Sequence, residues 1–511
     1  MELKSLLQIT DLTSYSEGGQ IDIIGNLFDL SFDSSSLSGI EHAFALAKQI
    51  DYDKLSEANK VVYHYDLSNG WNYTKKLKYS DKNDTWNFQL SEISEEIFHL
   101  RKAISLPGFD QTIPNRKCQI LTNLGNTLSY IGRFVEAQEY WTRTLEIIPY
   151  FPMALANKGN GLYYYGNYLF DMSHRSIFNI FSYHYLDSAL QLEKYLEPGA
   201  ASFFRHLHDH LEPAIPEELR NKIPNLNKYP LGKEKRLRAY RLWSLANKLY
   251  VNPLNDLGNY NVACHDCLNL PNLIFEIKKP PIYITMFNQI KQEFGTARFS
   301  YFDSTHSTKP HYSDTDIVIL ETFETARYSY YIEQIKMSFR LAYSILDKTA
   351  FLLNDYLKLG INPVRVSFRS LWYENYEKRT LRNFFAQSDN WALRGLFWLS
   401  KDLYETEQGF ETVIEPDARE IAIIRNHIEH KAFKIVSDFE FLPKVYDESN
   451  DISYTITRSQ FEAKTLKLLK LVRATIIYLS LAINHEEQKK DFSKMKTLPI
   501  VLNTIDHAMK F

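Results

Sequence analysis

Residues 122–149 read TNLGNTLSYIGRFVEAQEYWTRTLEIIP, and this stretch decides the architecture of the first half of the chain. Two runs with helical spacing of apolar residues meet at Gly132, and Pro149 punctuates the end of the second. Gly125 and Ala137 are small enough for the two helices of a hairpin to approach closely, Gly132 permits the turn, and large residues such as Trp141 fill the space between neighbouring hairpins. Moving on by about 34 residues brings Gly159, Leu162, Gly166 and Tyr168 into register with Gly125, Leu128, Gly132 and Phe134. The pattern predicts an all-α stack of hairpins.

Leu124, Gly125, Leu128, Gly132, Phe134, Ala137, Trp141, Leu145 and Pro149 stand at the spacings of a tetratricopeptide repeat, which this stretch resembles. In the second copy, 173–193 supplies its Ala189-Leu190 pair later than the period requires, which predicts an insertion between or within the helices. Upstream, 38–74 and 90–108 have helical periodicity of similar length and look like degenerate repeats. Hairpins of this kind bury their apolar faces only by stacking, and the stack presents a concave surface that suits a protein or peptide partner, unless it serves as a spacer.

Length and composition agree with a large globular chain. At 511 residues, roughly two to four domains are expected. The 44% hydrophobic and 24% charged residues permit extensive cores. A net charge of -3 gives no whole-chain footprint for a polyanion, so any nucleic-acid site must be local. The N-terminal MELKSLLQITDLTSYSEGG carries no signal-like apolar run, and the longest uncharged apolar stretch, Ala474 to Ile483, falls short of the ~20 residues that span a bilayer. A cytoplasmic location with no membrane contact is expected, in keeping with only three cysteines, Cys118, Cys264 and Cys267.

The texture changes between 196 and 324, where prolines punctuate a junction. KEKRLRAYR clusters Lys233, Lys235, Arg236, Arg238 and Arg241, a patch for RNA phosphates or a solvated helix face. Cys264-His265-Asp266-Cys267 lacks the second ligand pair that a closed zinc site needs, and His206, His208 and His210 alternate around a helix rather than converge. No metal and no cofactor is expected, and no glycine-rich phosphate loop is evident.

From 325 to 490 long amphipathic helices take over, ahead of a tail at 491–511. The first runs through 326–360 with Gly360 as its cap, the second covers 390–405, the third is 415–436, and the fourth is 459–487. Four helices of such lengths predict an up-and-down bundle. The third, EPDAREIAIIRNHIEHKAFKIV, opens with Glu415-Pro416-Asp417 in its first turn and buries Ile421, Ile424, Ile428 and Ile435. Asn426 and His430 share another face, while Arg425 lies about 140° around the axis from His430.

The four helices, the R-x4-H spacing of Arg425 and His430 late on the third, Asn426 directly after the Arg, and Asp347-Lys348 on the first resemble a HEPN domain, in a prokaryotic branch joined to tetratricopeptide repeats. The resemblance implies a homodimer with both motif helices facing a shared cleft, and RNA cleavage without metal in defence against phage or in toxin systems. It implies Arg425, His430 and Asn426 as the catalytic group, with His427 and Glu429 as auxiliary candidates. The chemistry suits them: RNA supplies its own 2′-OH nucleophile, a His exchanges that proton near neutral pH, and an Arg forks onto the charged phosphorane. No Tyr follows His430, since Lys431-Ala432-Phe433 stands there, which disfavours the branch partnered by a nucleotidyltransferase.

Other readings remain. Arg425 and Glu429 also fit an exposed helix pair, and the bundle then serves as a non-catalytic scaffold that binds protein or nucleotide. Arg205 and His210 repeat the R-x4-H spacing beside Pro213 without long flanking helices. One copy of the motif looks incomplete, so the expected site is composite across a dimer.

Overall fold

A computed structural model describes residues 2–79, 86–197, 199–274, 280–321, 326–404, 418–438, 452–491 and 502–505. Among them the fold is all-α, with two small sheets of two strands each. The helices longer than ten residues are, in order, α1 (Glu17–Asp33), α2 (Leu37–Ala47), α3 (Glu57–Lys78), α4 (Ser91–Ser105), α5 (Pro114–Tyr130), α6 (Phe134–Ile147), α7 (Pro152–Tyr168) and α8 (Met172–Leu190). They continue with α9 (Ala200–Leu211), α10 (Lys235–Ala246), α11 (Ile282–Thr305), α12 (Tyr330–Tyr356), α13 (Trp391–Tyr404), α14 (Ala418–His430) and α15 (Arg458–Gln488). Strands β1 (Tyr373–Asn375) and β2 (Thr380–Leu381) form a hairpin, and β3 (Ala432–Val436) pairs in parallel with β4 (Ser453–Thr457). No helix of the described residues is long and apolar enough to cross a membrane.

The quoted stretch forms the α5–α6 hairpin. A Cβ at Gly125 would stand 2.7 Å from Trp141 Nε1, and one at Gly161 of α7 would stand 2.4 Å from the far edge of the same indole, so Trp141 wedges between consecutive hairpins. Gly132 does turn the chain, at φ +88°, but it also packs against α13: a Cβ there would lie 2.0 Å from the Trp391 carbonyl oxygen, and one at Gly395 would lie 2.2 Å from that of Gly132. Two glycines therefore bring backbones from distant parts of the chain into contact. In the second hairpin the expected insertion does not separate the helices. Only Leu169–Asp171 connects them, α7 runs on past Gly166, and that glycine makes room for Phe178 of α8. The later Ala-Leu pair reflects the length of α8.

One hydrophobic core runs from Val61 to Ile483, so the repeats and the second half are packed as a unit rather than joined by a linker. The apolar stretch Ala474 to Ile483 lies buried within α15. Phe134 of α6 shows how the seam closes, with ring centroids 4.6 Å from Tyr165 of α7, 4.4 Å from Trp391 of α13 and 4.8 Å from Tyr478 of α15. The Trp391 indole donates to the Ser129 carbonyl at 2.8 Å. This face of the α5–α7 stack is covered by the chain's own helices.

Buried charge reinforces the seam. Asp402 of α13 accepts from both terminal nitrogens of Arg101 (α4), at 3.0 and 2.9 Å, and from Arg133 at the α5–α6 turn. Arg473 of α15 pairs with Asp256 at 2.5 Å and donates to the Tyr250 and Asn252 carbonyls, while Tyr165 donates to the other oxygen of Asp256 at 2.9 Å. Satisfied in this way, the ions fix one alignment of the two halves.

Several boundaries differ from those read in the sequence. α11, which falls in the 196–324 junction, packs along α12 and α15 and joins the helical assembly of the second half. α12 stops at Tyr356 because Lys358 takes the left-handed conformation, φ +54°, two residues before Gly360. The third motif-bearing helix stops at His430 instead of continuing to Val436. Phe433, Ile435 and Val436 are buried from β3, whose pairing with β4 satisfies its backbone, so Ile435 belongs to a strand and not to the helical stripe. Glu415-Pro416-Asp417 and most of the 491–511 tail lie outside the described residues.

Candidate functional site

α14 buries Ile421, Ile424 and Ile428 and turns its polar side outwards. Arg425 is half-buried, and its guanidinium carbon lies 5.7 Å from the ring centroid of Tyr343 on α12. Its Nη1 donates to Asn426 Oδ1 at 3.1 Å, so the Asn holds the Arg rather than the His. Asn426 and His430 are exposed, and His430 occupies the last helical position before β3. The structure joins Arg425 to Asn426 and brings neither into a hydrogen bond with His430 among the described residues, as the angular offset along one helix predicts.

The auxiliary candidates separate. His427 Nδ1 lies 2.9 Å from the Ile423 carbonyl oxygen. A carbonyl only accepts, so Nδ1 carries the hydrogen of this contact. The ring is half-buried and tilted against Tyr454, with centroids 5.5 Å apart. Glu429 does not pair with Arg425. It meets Arg340 of α12 at 3.2 Å, and Arg340 also donates to the Ile428 carbonyl at 2.6 Å, tying the end of α14 to α12. Glu420, one turn before the motif, accepts from Tyr454 at 2.8 Å and pairs with Lys464 of α15 at 2.6 Å.

Sequence reasoning missed most of what surrounds Arg425. Arg340, Tyr343 and Asp347 recur at helical spacing on α12 and face the motif helix and the loop after α12. Asp347 Oδ1 accepts from the Phe368 amide at 3.0 Å. The Tyr343 and Tyr404 rings meet edge to face at 6.5 Å. Burial raises the pKa of both phenols, strongly for Tyr404, so both keep their protons at neutral pH and stand as donors beside the guanidinium. The signal in the sequence was the polar spacing 340, 343, 347 within an apolar-periodic helix.

The other candidates fall elsewhere. Arg236 pairs with Asp303 of α11, while Lys233, Lys235 and Arg238 are exposed and Arg241 reaches the Pro230 carbonyl at 3.3 Å. Arg205 pairs with Glu193, and His210 lies edge-on to Tyr163 at 6.0 Å, so that second R-x4-H spacing serves packing and surface pairing on α9. Asp266 is held by Arg298 at 2.8 and 2.9 Å, and burial pushes the Cys264 and Cys267 thiols up to about 11.

With α11 to α15 and the motif in place, one comparison with known families finds a similarity in this part of the chain. Residues 274–486 match the family model of the LA2681-like HEPN domain. The matched HEPN segment begins just before α11, in agreement with the packing of that helix on α12, and ends within α15. No curated protein and no solved structure matches the chain.

Proposed function

We propose that the chain is a metal-independent endoribonuclease whose site is built from Arg425, Asn426 and His430. The observation that supports this reading is that Asn426 and His430 are exposed on α14, with Arg425 half-buried and bonded to Asn426, inside the segment that matches a HEPN family. In the reaction the 2′-oxygen of RNA attacks the adjacent phosphorus, its proton passes to a base, and the bond to the 5′-oxygen breaks as that oxygen gains a proton. The products are a 2′,3′-cyclic phosphate and a 5′-hydroxyl. His430 exchanges the proton, and Arg425, held by Asn426, stabilises the charge that grows on the non-bridging oxygens. His427, with Nδ1 on the Ile423 carbonyl, offers its Nε2 as the auxiliary proton-transfer atom, and Glu429 positions the helix end through Arg340.

The separation of Arg425 from His430 favours a homodimer in which each site takes its Arg from one copy of α14 and its His from the other. Mixing inactive Arg425→Ala and inactive His430→Ala proteins then restores cleavage, because one of the two sites in the mixed dimer is intact. No recovery in a dimer shown to exchange subunits contradicts the composite site. We place the activity in anti-phage or toxin-type defence, with the tetratricopeptide-like repeats sensing a partner on surfaces not covered by α13 and α15. Sequencing RNA ends after brief induction of the parent and of His430→Ala tests this: discrete ends present only with the parent identify the substrate, and identical ends in both dismiss the nuclease.

A further inference from the structure

A chain of net charge -3 that handles RNA requires a local cationic surface. The patch at 233–241 has its Arg236 committed to Asp303. A second concentration lies closer to Arg425. Between 365 and 382 four arginines and Lys378 face only two acids, Glu374 and Glu377. This segment carries the β1–β2 hairpin, whose base is fixed to the core. Arg382 donates through its amide to the Trp372 carbonyl at 2.9 Å and through Nε to that of Leu371 at 3.1 Å, and at the turn Gln89 donates to the Arg379 carbonyl at 3.0 Å.

At the tip, two guanidinium groups lie against Tyr376. The carbon of Arg379 stands 4.1 Å from its ring centroid and that of Arg369 4.6 Å, and Arg369 Nε also donates to the Tyr376 hydroxyl. Stacking restricts both side chains before any ligand arrives, so less rotamer freedom is lost when their N–H edges meet an anion. Arg369 is exposed. The stack adjoins the motif through α12: Phe368, next to Arg369, is anchored on Asp347, one turn from Tyr343, whose ring Arg425 covers. Burial raises the Tyr343 pKa, and among the smaller influences both Arg425 and Arg369 oppose the rise, in keeping with two cations flanking that phenol.

We propose that the β1–β2 hairpin is a binding arm for single-stranded RNA, in which Arg369 and Arg379 hold phosphates beside the scissile one and Tyr376 keeps them in place. This rests on the ribonuclease reading. Phosphate contacts from fixed arginines position a strand without reading its sequence, and guanidinium planes also accept unpaired bases. The arm acts on binding, so its removal raises KM.

The test uses the full chain carrying His430→Ala, which binds without cutting, and a fluorescent single-stranded RNA followed by anisotropy across a salt series. Adding Arg369→Gln with Arg379→Gln is expected to weaken binding at least tenfold and to flatten the dependence of log K on log salt, by about 0.7 for each phosphate that the arm no longer neutralises. Arg369→Lys, which keeps the charge, restores part of the affinity. Circular dichroism establishes that the variants fold. If the arm variants bind as tightly as their parent while the intact enzyme cuts RNA, the arm is wrong and the nuclease stands. An intact enzyme that neither binds nor cuts RNA overturns both.

Discussion

Two regions of this molecule carry arginines in opposite circumstances. At the seam between the repeats and the second half, Arg101, Arg133 and Arg473 are buried and paired with carboxylates, Asp402 for the first two, Glu136 also for Arg133, and Asp256 for Arg473. On α14, Arg425 is half-buried over a tyrosine and borrows one bond from an exposed Asn, and His430 stands in solvent. The first arrangement uses charge to fix a fold. The second, among the described residues, leaves Arg425 with a hydrogen bond to Asn426 and the face of a tyrosine, as the proposed nuclease reading requires of a group that meets a ligand.

The contrast breaks first if the seam proves dispensable. Asp402→Ala removes the carboxylate shared by two buried guanidinium groups, and we expect a loss of about 3–5 kcal/mol, measured by urea unfolding. A loss below about 1 kcal/mol would class that cluster with surface pairs. Gly132→Ala imposes a left-handed conformation on a residue with a Cβ and drives that Cβ into the Trp391 carbonyl, with an expected cost on the order of 3 kcal/mol. A variant of unchanged stability would show that α13 does not press on the repeat turn.

The buried histidines sharpen the comparison through pH. His64 Nδ1 lies 2.8 Å from His99 Nδ1, between α3 and α4, and burial lowers their pKa values to about 3 and about 4 from an ordinary 6.5. Both are neutral in the folded protein, whereas the unfolded chain binds protons below 6.5. The stability they contribute is therefore complete above that value and falls as pH drops from 6.5 towards 4. Thermal melts across this window should show a falling Tm that His64→Gln with His99→Gln flattens; an unchanged slope assigns the acid sensitivity to other groups. The smallest expected effect is on the other side of the contrast: Arg425→Ala and His430→Ala should each shift stability by no more than about 0.5 kcal/mol. A loss several times larger would make them structural.

Much of the helical framework was legible because helices announce themselves locally. The spacing around Gly132 placed the α5–α6 hairpin, and the limits of α13 and α15 follow from periodic stretches. What periodicity could not reveal is which distant surfaces meet. Nothing near Gly132 names Gly395, and α11 looked like junction because its role depends on α12 and α15. β3 was misread because a run as short as Ala432–Val436 fits either period, and a parallel partner beginning at Ser453 is invisible locally. At the site, the motif residues were readable as types in a pattern. Their partners Tyr343, Tyr404 and Arg340 were not, since contact across helices is a property of the fold. The same holds for Glu429, which chose Arg340 over the nearer Arg425.

The central claim is that the outward face of α14 cleaves RNA without metal. Purified parent, Arg425→Ala and His430→Ala, incubated with cellular RNA in the presence of a chelator, test it most directly. The account predicts that the parent cuts, leaving 2′,3′-cyclic phosphate ends, and that each variant, equally folded, is slower by about two to four orders of magnitude. Variants that cut as fast as the parent, or a parent whose cleavage stops when metal is chelated, would contradict it.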